Sequence, residues 1–170
     1  HGKLLNAGQT CIAPDYVLVD RTVHDGLVER MVAAVGEFYG DDPQQSADYA
    51  RIVNASQFHR LEKLLDSGTP ATGGVTDEDD RYIAPTILTD VDRDAPAMAD
   101  EIFGPVLPVL PTDGLDDAVA FVNANDKPLA LYVFSERDDE TEAVLDRTSS
   151  GGACVNGTIF HVSNPELPFG

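Results

Sequence analysis

The chain has 170 residues, of which 42% are hydrophobic, and this size and composition predict one folded domain with a buried core. Thirty acidic residues against eleven basic ones give a net charge of -19 at pH 7. A surface this acidic repels nucleic acids and anionic lipid surfaces, so we expect neither as a partner.

The cysteine content and the apolar runs bear on the compartment. Cys11 and Cys154 are too few for a disulfide framework, so we expect a reducing compartment, the cytoplasm. No apolar run reaches the length needed to span a bilayer, and the first residues do not have the pattern of a signal segment.

Hydrophobic spacing predicts alternating strands and helices along the chain. Apolar runs rich in β-forming residues predict strands at residues 16–20, 82–88, 106–110, 129–134 and 153–156. Apolar residues at helical spacing predict helices over residues 23–38, 56–65, 114–125 and 138–148, with one helical turn near Met98. Strands separated by helices of this length predict an α/β domain with a mostly parallel sheet and helices on both faces.

Three residues carry local structural signals. Thr22 and Asn54 precede the first two predicted helices and are expected to cap them. Pro85 interrupts the strand predicted over residues 82–88, which indicates a sheet edge or a bulge at that point.

Cys11 stands at the end of the Gly-containing stretch 6–11, directly before the apolar run that leads into the first predicted strand. A thiol nucleophile needs nearby backbone amides, little side-chain bulk in front of it and a rigid element behind it. From these residues alone, a nucleophile and a small buried hydrophobic residue both remain open.

Residues 6–14, in the order Asn-Ala-Gly-Gln-Thr-Cys-Ile-Ala-Pro, closely resemble the nucleophile segment of the aldehyde dehydrogenase superfamily, especially its class-three type. Further stretches that fit the family occur in the expected order at residues 81–86, 101–106, 128–134, 150–156 and 167–170. The resemblance therefore covers essentially the whole chain.

The resemblance implies that Cys11 adds to an aldehyde carbonyl and forms a thiohemiacetal. NAD or NADP then accepts a hydride, and water hydrolyses the remaining thioester to a carboxylic acid. In this family the backbone N–H of the nucleophile is one donor to the oxyanion, and an Asn far upstream is the other. Asn6 is not that Asn and is expected to support the loop.

Glu101 and Phe103 belong to the stretch Glu-Ile-Phe-Gly-Pro-Val. The resemblance implies that Glu101 accepts hydrogen bonds from the ribose hydroxyls beside the nicotinamide and that Phe103 packs near that ring. A carboxylate suits this role because it can accept from two neighbouring hydroxyls at once.

The resemblance also places Thr10, Ile12, His161 and Phe169 at the substrate pocket. For His161 the residues alone leave a second interpretation open, a loop histidine that faces solvent. Cys154 lies in a Gly-flanked apolar strand, has no role in the family, and is expected to be a buried structural thiol.

Acidic residues in one stretch match a calcium-binding EF-hand loop; they are Asp90, Asp92, Asp94 and Glu101. Ala95 stands where such a loop needs Gly, and a strand is predicted where an entering helix is required. The histidines are not spaced with acids or cysteines as metal ligands are. We therefore predict no metal site.

In the family, the dinucleotide-binding domain, the upstream Asn and the general-base Glu all precede the nucleophile. We therefore expect residues 1–170 to be the catalytic domain of a longer enzyme, inactive in isolation and a homodimer or tetramer at full length. Two alternatives remain open. One is a coenzyme-A-acylating aldehyde dehydrogenase, in which a thiol replaces water, and the other is a non-catalytic module with an inert Cys11.

Overall fold

The computed structural model describes residues 1–170 and contains eight β-strands and four α-helices. The strands are β1 (Val17–Asp20), β2 (Thr69–Thr72), β3 (Thr76–Asp77), β4 (Tyr82–Ile83), β5 (Thr86–Thr89), β6 (Val106–Thr112), β7 (Ala130–Val133) and β8 (Gly152–Val155). The helices are α1 (His24–Tyr39), α2 (Ala55–Leu64), α3 (Leu115–Ala124) and α4 (Asp138–Arg147). Short 3-10 turns include Leu5–Gly8, Pro96–Met98 and Phe160–Ser163. None of the helices combines the length and the apolar character that crossing a bilayer requires.

Four strands form the main sheet in the order β1–β6–β5–β2. Strand β6 pairs in parallel with β1 and with β5, and β2 adds an antiparallel edge. Two small sheets lie outside it, the parallel pair β7–β8 and the antiparallel pair β3–β4. The predicted α/β class with mostly parallel pairing is confirmed, although the strands divide among three sheets.

Different helices cover the two faces of the main sheet, because successive side chains of a strand point to opposite sides. On one face α1 packs against a cluster formed by Val17, Val19, Ile87 and Val109. On the other face α2 contributes Phe58 and Leu61 to the largest core cluster, together with Leu18, Leu88, Val106 and Leu110. Helices on both faces are thus confirmed.

The two predicted helix caps have different outcomes. Asn54 caps α2 as predicted, since its side chain accepts a hydrogen bond from the Gln57 N–H at 2.9 Å. The prediction for Thr22 is wrong, because α1 begins at His24 without a side-chain cap. Both the N–H and the hydroxyl of Thr22 donate instead to the carboxylate of Asp20, so a local turn takes the groups that a cap would use.

The strand predicted over residues 82–88 is in fact two strands, β4 and β5, which belong to different sheets. Pro85 belongs to neither strand and is fully buried, so it marks the break between two sheets, and the predicted edge or bulge at this position is wrong. Proline has no N–H to donate, so sheet pairing resumes at Thr86, whose N–H donates to the Pro105 carbonyl at 2.9 Å.

Candidate active site

Cys11 lies at the end of a tightly turned segment, residues 5–12, which we call the nucleophile loop. The backbone is left-handed at three successive residues, with φ of 52° at Asn6, 52° at Ala7 and 76° at Gly8. This conformation is unfavourable for residues that carry a Cβ, so contacts around the loop must hold it. The loop leaves the Cys11 side chain exposed.

Gln9 holds the nucleophile loop through both ends of its side-chain amide. Its Nε2 donates to the Asn6 carbonyl at 2.9 Å and to the Arg51 carbonyl at 3.0 Å. Its Oε1 accepts from the Val53 N–H at 2.9 Å. Asn6 has the supporting role predicted for it, since its Nδ2 donates to the Gln9 carbonyl at 3.2 Å.

The nucleophile loop packs against residues 101–104, the segment that carries Glu101 and Phe103. Gly8 lies so close to the carbonyl of Gly104 that a Cβ at position 8 would overlap the oxygen. A second contact joins residues 101–104 to the chain just after the nucleophile loop, where Asp15 Oδ1 accepts a hydrogen bond from the Ile102 N–H at 2.9 Å. The two segments therefore form one packed unit.

Arg60 of α2 holds residues 101–104 from another side. Its guanidinium donates to the carbonyl oxygens of Glu101 and Ile102. Phe103 has a left-handed backbone with φ of 50°, and 38% of the residue remains accessible. The Glu101 side chain is also exposed. The backbone of the segment is thus fixed while both side chains stay open to a ligand.

Lys3 is a buried cation beside these segments, with only 6% of the residue exposed. Its Nζ has no hydrogen-bond partner. Burial lowers the pKa of Lys3 to about 8, an effect that the charges of Asp15 and Glu101 partly oppose. Burial likewise raises the pKa of Asp15, while the positive charge of Lys3 lowers it.

Thr10 and Ile12 flank Cys11 and differ in their exposure. Thr10 is half-buried, and its hydroxyl donates to the Leu5 carbonyl at 3.4 Å. The Ile12 side chain is buried, and its carbonyl accepts a hydrogen bond from the Tyr132 hydroxyl at 2.6 Å. Tyr132 lies on β7, so this bond ties the nucleophile loop to the small parallel sheet.

His161 is 8% exposed, so the interpretation as a solvent-facing histidine is wrong. Its ring centroid lies 5.9 Å from that of Tyr132, and its Nδ1 lies 3.5 Å from the Cys154 Sγ. Cys154 is half-buried and in contact with a histidine, so the expectation of a buried thiol is met only in part. Phe169 is 59% exposed near the end of the chain, and the following Gly170 packs against Leu129.

The acidic stretch that matches an EF-hand loop follows β5 directly, so a strand stands where an entering helix would be required, as predicted. No group of three or more His, Cys, Asp or Glu side chains is arranged to hold a metal ion.

Sequence reasoning missed four residues that build the site: Gln9, Asp15, Arg60 and Tyr132. Gln9 and Asp15 lie in or next to the recognised motif, and a side chain able to satisfy backbone groups in a Gly-containing loop is a signal that could have identified them. Arg60 and Tyr132 carry no such signal, because their partners lie 42 and 120 residues away in sequence.

Comparison with known proteins places this geometry in a family. The model of the "Aldehyde dehydrogenase family" matches residues 1–170. The dimeric NADP-preferring aldehyde dehydrogenase of Mus musculus is 49% identical over 169 residues, which cover 99% of this chain and 37% of the mouse protein. The aldehyde dehydrogenase family 3 member B1 of Homo sapiens is 49% identical over 168 residues, covering 99% of this chain and 36% of that protein.

Among solved structures, the substrate-bound state of Staphylococcus aureus AldH superposes with a TM-score of 0.96 at 49% identity. The match covers 99% of this chain and 37% of the staphylococcal chain. The chain thus spans little more than a third of the length of these relatives. The family match over every residue and these identities confirm the resemblance: the chain belongs to the aldehyde dehydrogenase family and is similar to its class-three members.

Proposed function

We propose that residues 1–170 are the nucleophile-bearing catalytic domain of a longer NAD- or NADP-dependent enzyme that oxidises an aldehyde to a carboxylic acid. One observation carries the proposal. The exposed Cys11 ends a strained loop that packs, through Gly8 and Gly104, against the segment that carries Glu101 and Phe103. A nucleophile and a cofactor-binding segment held in one unit are what this reaction requires.

Cys11 is the nucleophile in this mechanism. Its thiolate forms a bond to the aldehyde carbon, and the carbonyl electron pair moves to oxygen. The Cys11 N–H makes no backbone hydrogen bond within the chain and is therefore available to stabilise that oxyanion. After the carbon has lost a hydride, a thioester remains on Cys11, and attack by water releases the carboxylic acid and restores the thiol.

Glu101 and Phe103 fit a dinucleotide. When bound, NAD or NADP supplies the acceptor for the hydride. The exposed carboxylate of Glu101 can accept hydrogen bonds from two ribose hydroxyls, and the partly exposed ring of Phe103 offers an apolar face to a flat heterocycle. Arg60 and Asp15 position both side chains through the backbone.

The substrate pocket in this proposal includes Thr10, Ile12, His161 and Phe169. Thr10 and Phe169 are accessible enough to contact an aldehyde, whereas Ile12 and His161 are buried, so we assign them a supporting role in the pocket wall. We further propose a homo-oligomer, since the mouse relative is named dimeric and NADP-preferring. Two unpaired thiols favour a reducing compartment, the cytoplasm.

The test uses the full-length protein that contains this chain, with Cys11→Ser and the matched control Cys154→Ser. NAD(P)H formation is followed by its ultraviolet absorbance with a panel of aldehydes. We expect Cys11→Ser to abolish turnover and Cys154→Ser to retain it. Turnover that survives Cys11→Ser, or a wild-type protein with no turnover, would contradict the proposal.

The alternatives have their own readouts. Acyl-coenzyme A as the product, in place of the free acid, would identify a coenzyme-A-acylating enzyme. Failure of iodoacetamide to label Cys11 in the wild-type protein would favour a non-catalytic module. Residues 1–170 expressed alone are expected to form no NAD(P)H.

A further inference from the structure

Cys154 and His161 form a pair beside the nucleophile loop that has no chemical step in the proposed reaction, although His161 belongs to the proposed substrate pocket. The Sγ of Cys154 lies 3.5 Å from Nδ1 of His161, within hydrogen-bond reach for sulfur. Cys154, on β8, is half-buried, whereas His161, in the turn Phe160–Ser163, is only 8% exposed.

The imidazole of His161 has an unsatisfied nitrogen. Its Nε2 is one of only two buried side-chain polar atoms in the chain without a hydrogen-bond partner, the other being Lys3 Nζ. Leaving such an atom unpaired in the interior is unfavourable, so burial by itself gives no reason for a histidine at this position.

The surroundings hold the imidazole in place against Cys154. A Cβ at Gly152 would overlap the ring, so Gly152 leaves the space that the imidazole fills. The Tyr132 ring packs on it with a centroid distance of 5.9 Å. The histidine therefore has a fixed orientation, in which Nδ1 is the nitrogen that faces the thiol.

We propose that Cys154 and His161 are a second nucleophilic site, at which Cys154 is alkylated by α,β-unsaturated aldehydes. Nδ1 of His161 accepts the thiol proton, and Sγ forms a bond to the β carbon of the double bond. The π electron pair moves to the α carbon, which takes the proton back from the imidazolium. The aldehyde group stays intact, and no oxidant or reductant is consumed.

The class of electrophile follows from the position of the pair. Tyr132 contacts His161 with its ring and donates its hydroxyl hydrogen bond to the carbonyl of Ile12, the residue after Cys11. The pair thus lies next to the loop where aldehydes are bound, a step that rests on the proposed function. Thiols are soft nucleophiles and add to the β carbon of such aldehydes, whereas the proposed reaction of Cys11 is at the carbonyl carbon.

The experiment treats the full-length protein with 2-hexenal at neutral pH, reduces the adducts with borohydride, and maps them by peptide mass spectrometry. We use a Cys11→Ser background, which removes the proposed dehydrogenase activity but leaves Cys154. We expect a hexenal adduct on Cys154 that forms at least about tenfold faster than on N-acetylcysteine, as general-base assistance predicts. His161→Gln should lower that rate by about tenfold or more, and the matched exposed-histidine control His59→Gln should leave it unchanged.

Absence of an adduct on Cys154, a rate no higher than that of N-acetylcysteine, or equal rates with and without His161 would each overturn the proposal. If His161→Gln does not fold, the comparison with N-acetylcysteine decides the question in the folded parent. The labelling involves no NAD(P)H, so failure of this inference is distinguishable from failure of the proposed function, which appears only as lost turnover of the wild-type protein.

Discussion

The Ile102 N–H donates a hydrogen bond to Asp15 Oδ1 at 2.9 Å, although the two residues are 87 positions apart in sequence. Asp15 follows the nucleophile loop, and Ile102 lies between Glu101 and Phe103. With the contact of Gly8 against Gly104, this bond fixes the loop and residues 101–104 to each other at two points. Displacing either segment therefore displaces the other.

Gly8→Ala is expected to destabilise the protein by about 2 kcal/mol or more. The new Cβ would occupy a backbone with φ of 76° and overlap the Gly104 carbonyl. Urea denaturation measures the free energy of unfolding, and Gly36→Ala is the matched control. Gly36 lies in α1 with no atom near its added Cβ, so this control should stabilise by up to about 1 kcal/mol. Equal effects of the two changes would contradict the packing at Gly8.

Lys3→Met is expected to raise the free energy of unfolding by about 1–3 kcal/mol at pH 7. Burial lowers the pKa of Lys3 to about 8 from its ordinary value of 10.5. Between pH 8 and pH 10.5 the unfolded chain therefore binds more protons at Lys3 than the folded chain does. The wild type therefore gains stability from Lys3 deprotonation as pH rises through this window, and the advantage of Lys3→Met shrinks. Urea denaturation from pH 7 to 10.5 measures the difference. The exposed Lys63→Met is the control, and a difference independent of pH would refute the assignment.

Tyr132→Phe is expected to cost about 1–2 kcal/mol, because the Ile12 carbonyl loses the hydroxyl that donates to it. Thermal unfolding followed by circular dichroism measures the loss. Tyr16→Phe is a suitable control, since the Tyr16 hydroxyl has no hydrogen bond and its ring packing against Phe121 is retained. A loss of the same size in both variants would mean that the bond to Ile12 contributes nothing specific.

Arg60→Met is expected to raise the KM for NAD or NADP of the full-length enzyme by about five- to tenfold, which corresponds to about 1 kcal/mol. The change removes the donors to the Glu101 and Ile102 carbonyls and so loosens the segment that carries the proposed cofactor contacts. Steady-state kinetics with varied cofactor measure the effect, with Arg30→Met as control because Arg30 is exposed on α1. An unchanged cofactor KM would show that Arg60 has only a structural role.

Local patterns predicted the helices well. The helical spacing of residues 23–38 and the cap at Asn54 correspond to α1 and α2, because caps and apolar faces are set within a few residues of one another. Thr22 failed as a cap because a turn with Asp20 competes for the same groups.

Strands β2 and β3 were not predicted, because neither carries an alternating apolar pattern. They form because β5 and β4 supply the hydrogen bonds that pair with them.

By itself, the sequence determined the family, the α/β class, the cysteine at the end of a Gly-containing loop and the Glu and Phe that follow it. Each of these features depends on residues that are close together in sequence, so their spacing and side-chain types are enough to predict it. Only the tertiary structure decided that Arg60 and Asp15 hold residues 101–104, that Lys3 is a buried cation, and that His161 faces Cys154. The physical reason is that hydrogen bonding and burial depend on which distant segments meet, and chain folding brings these groups together across sequence separations that no local pattern records.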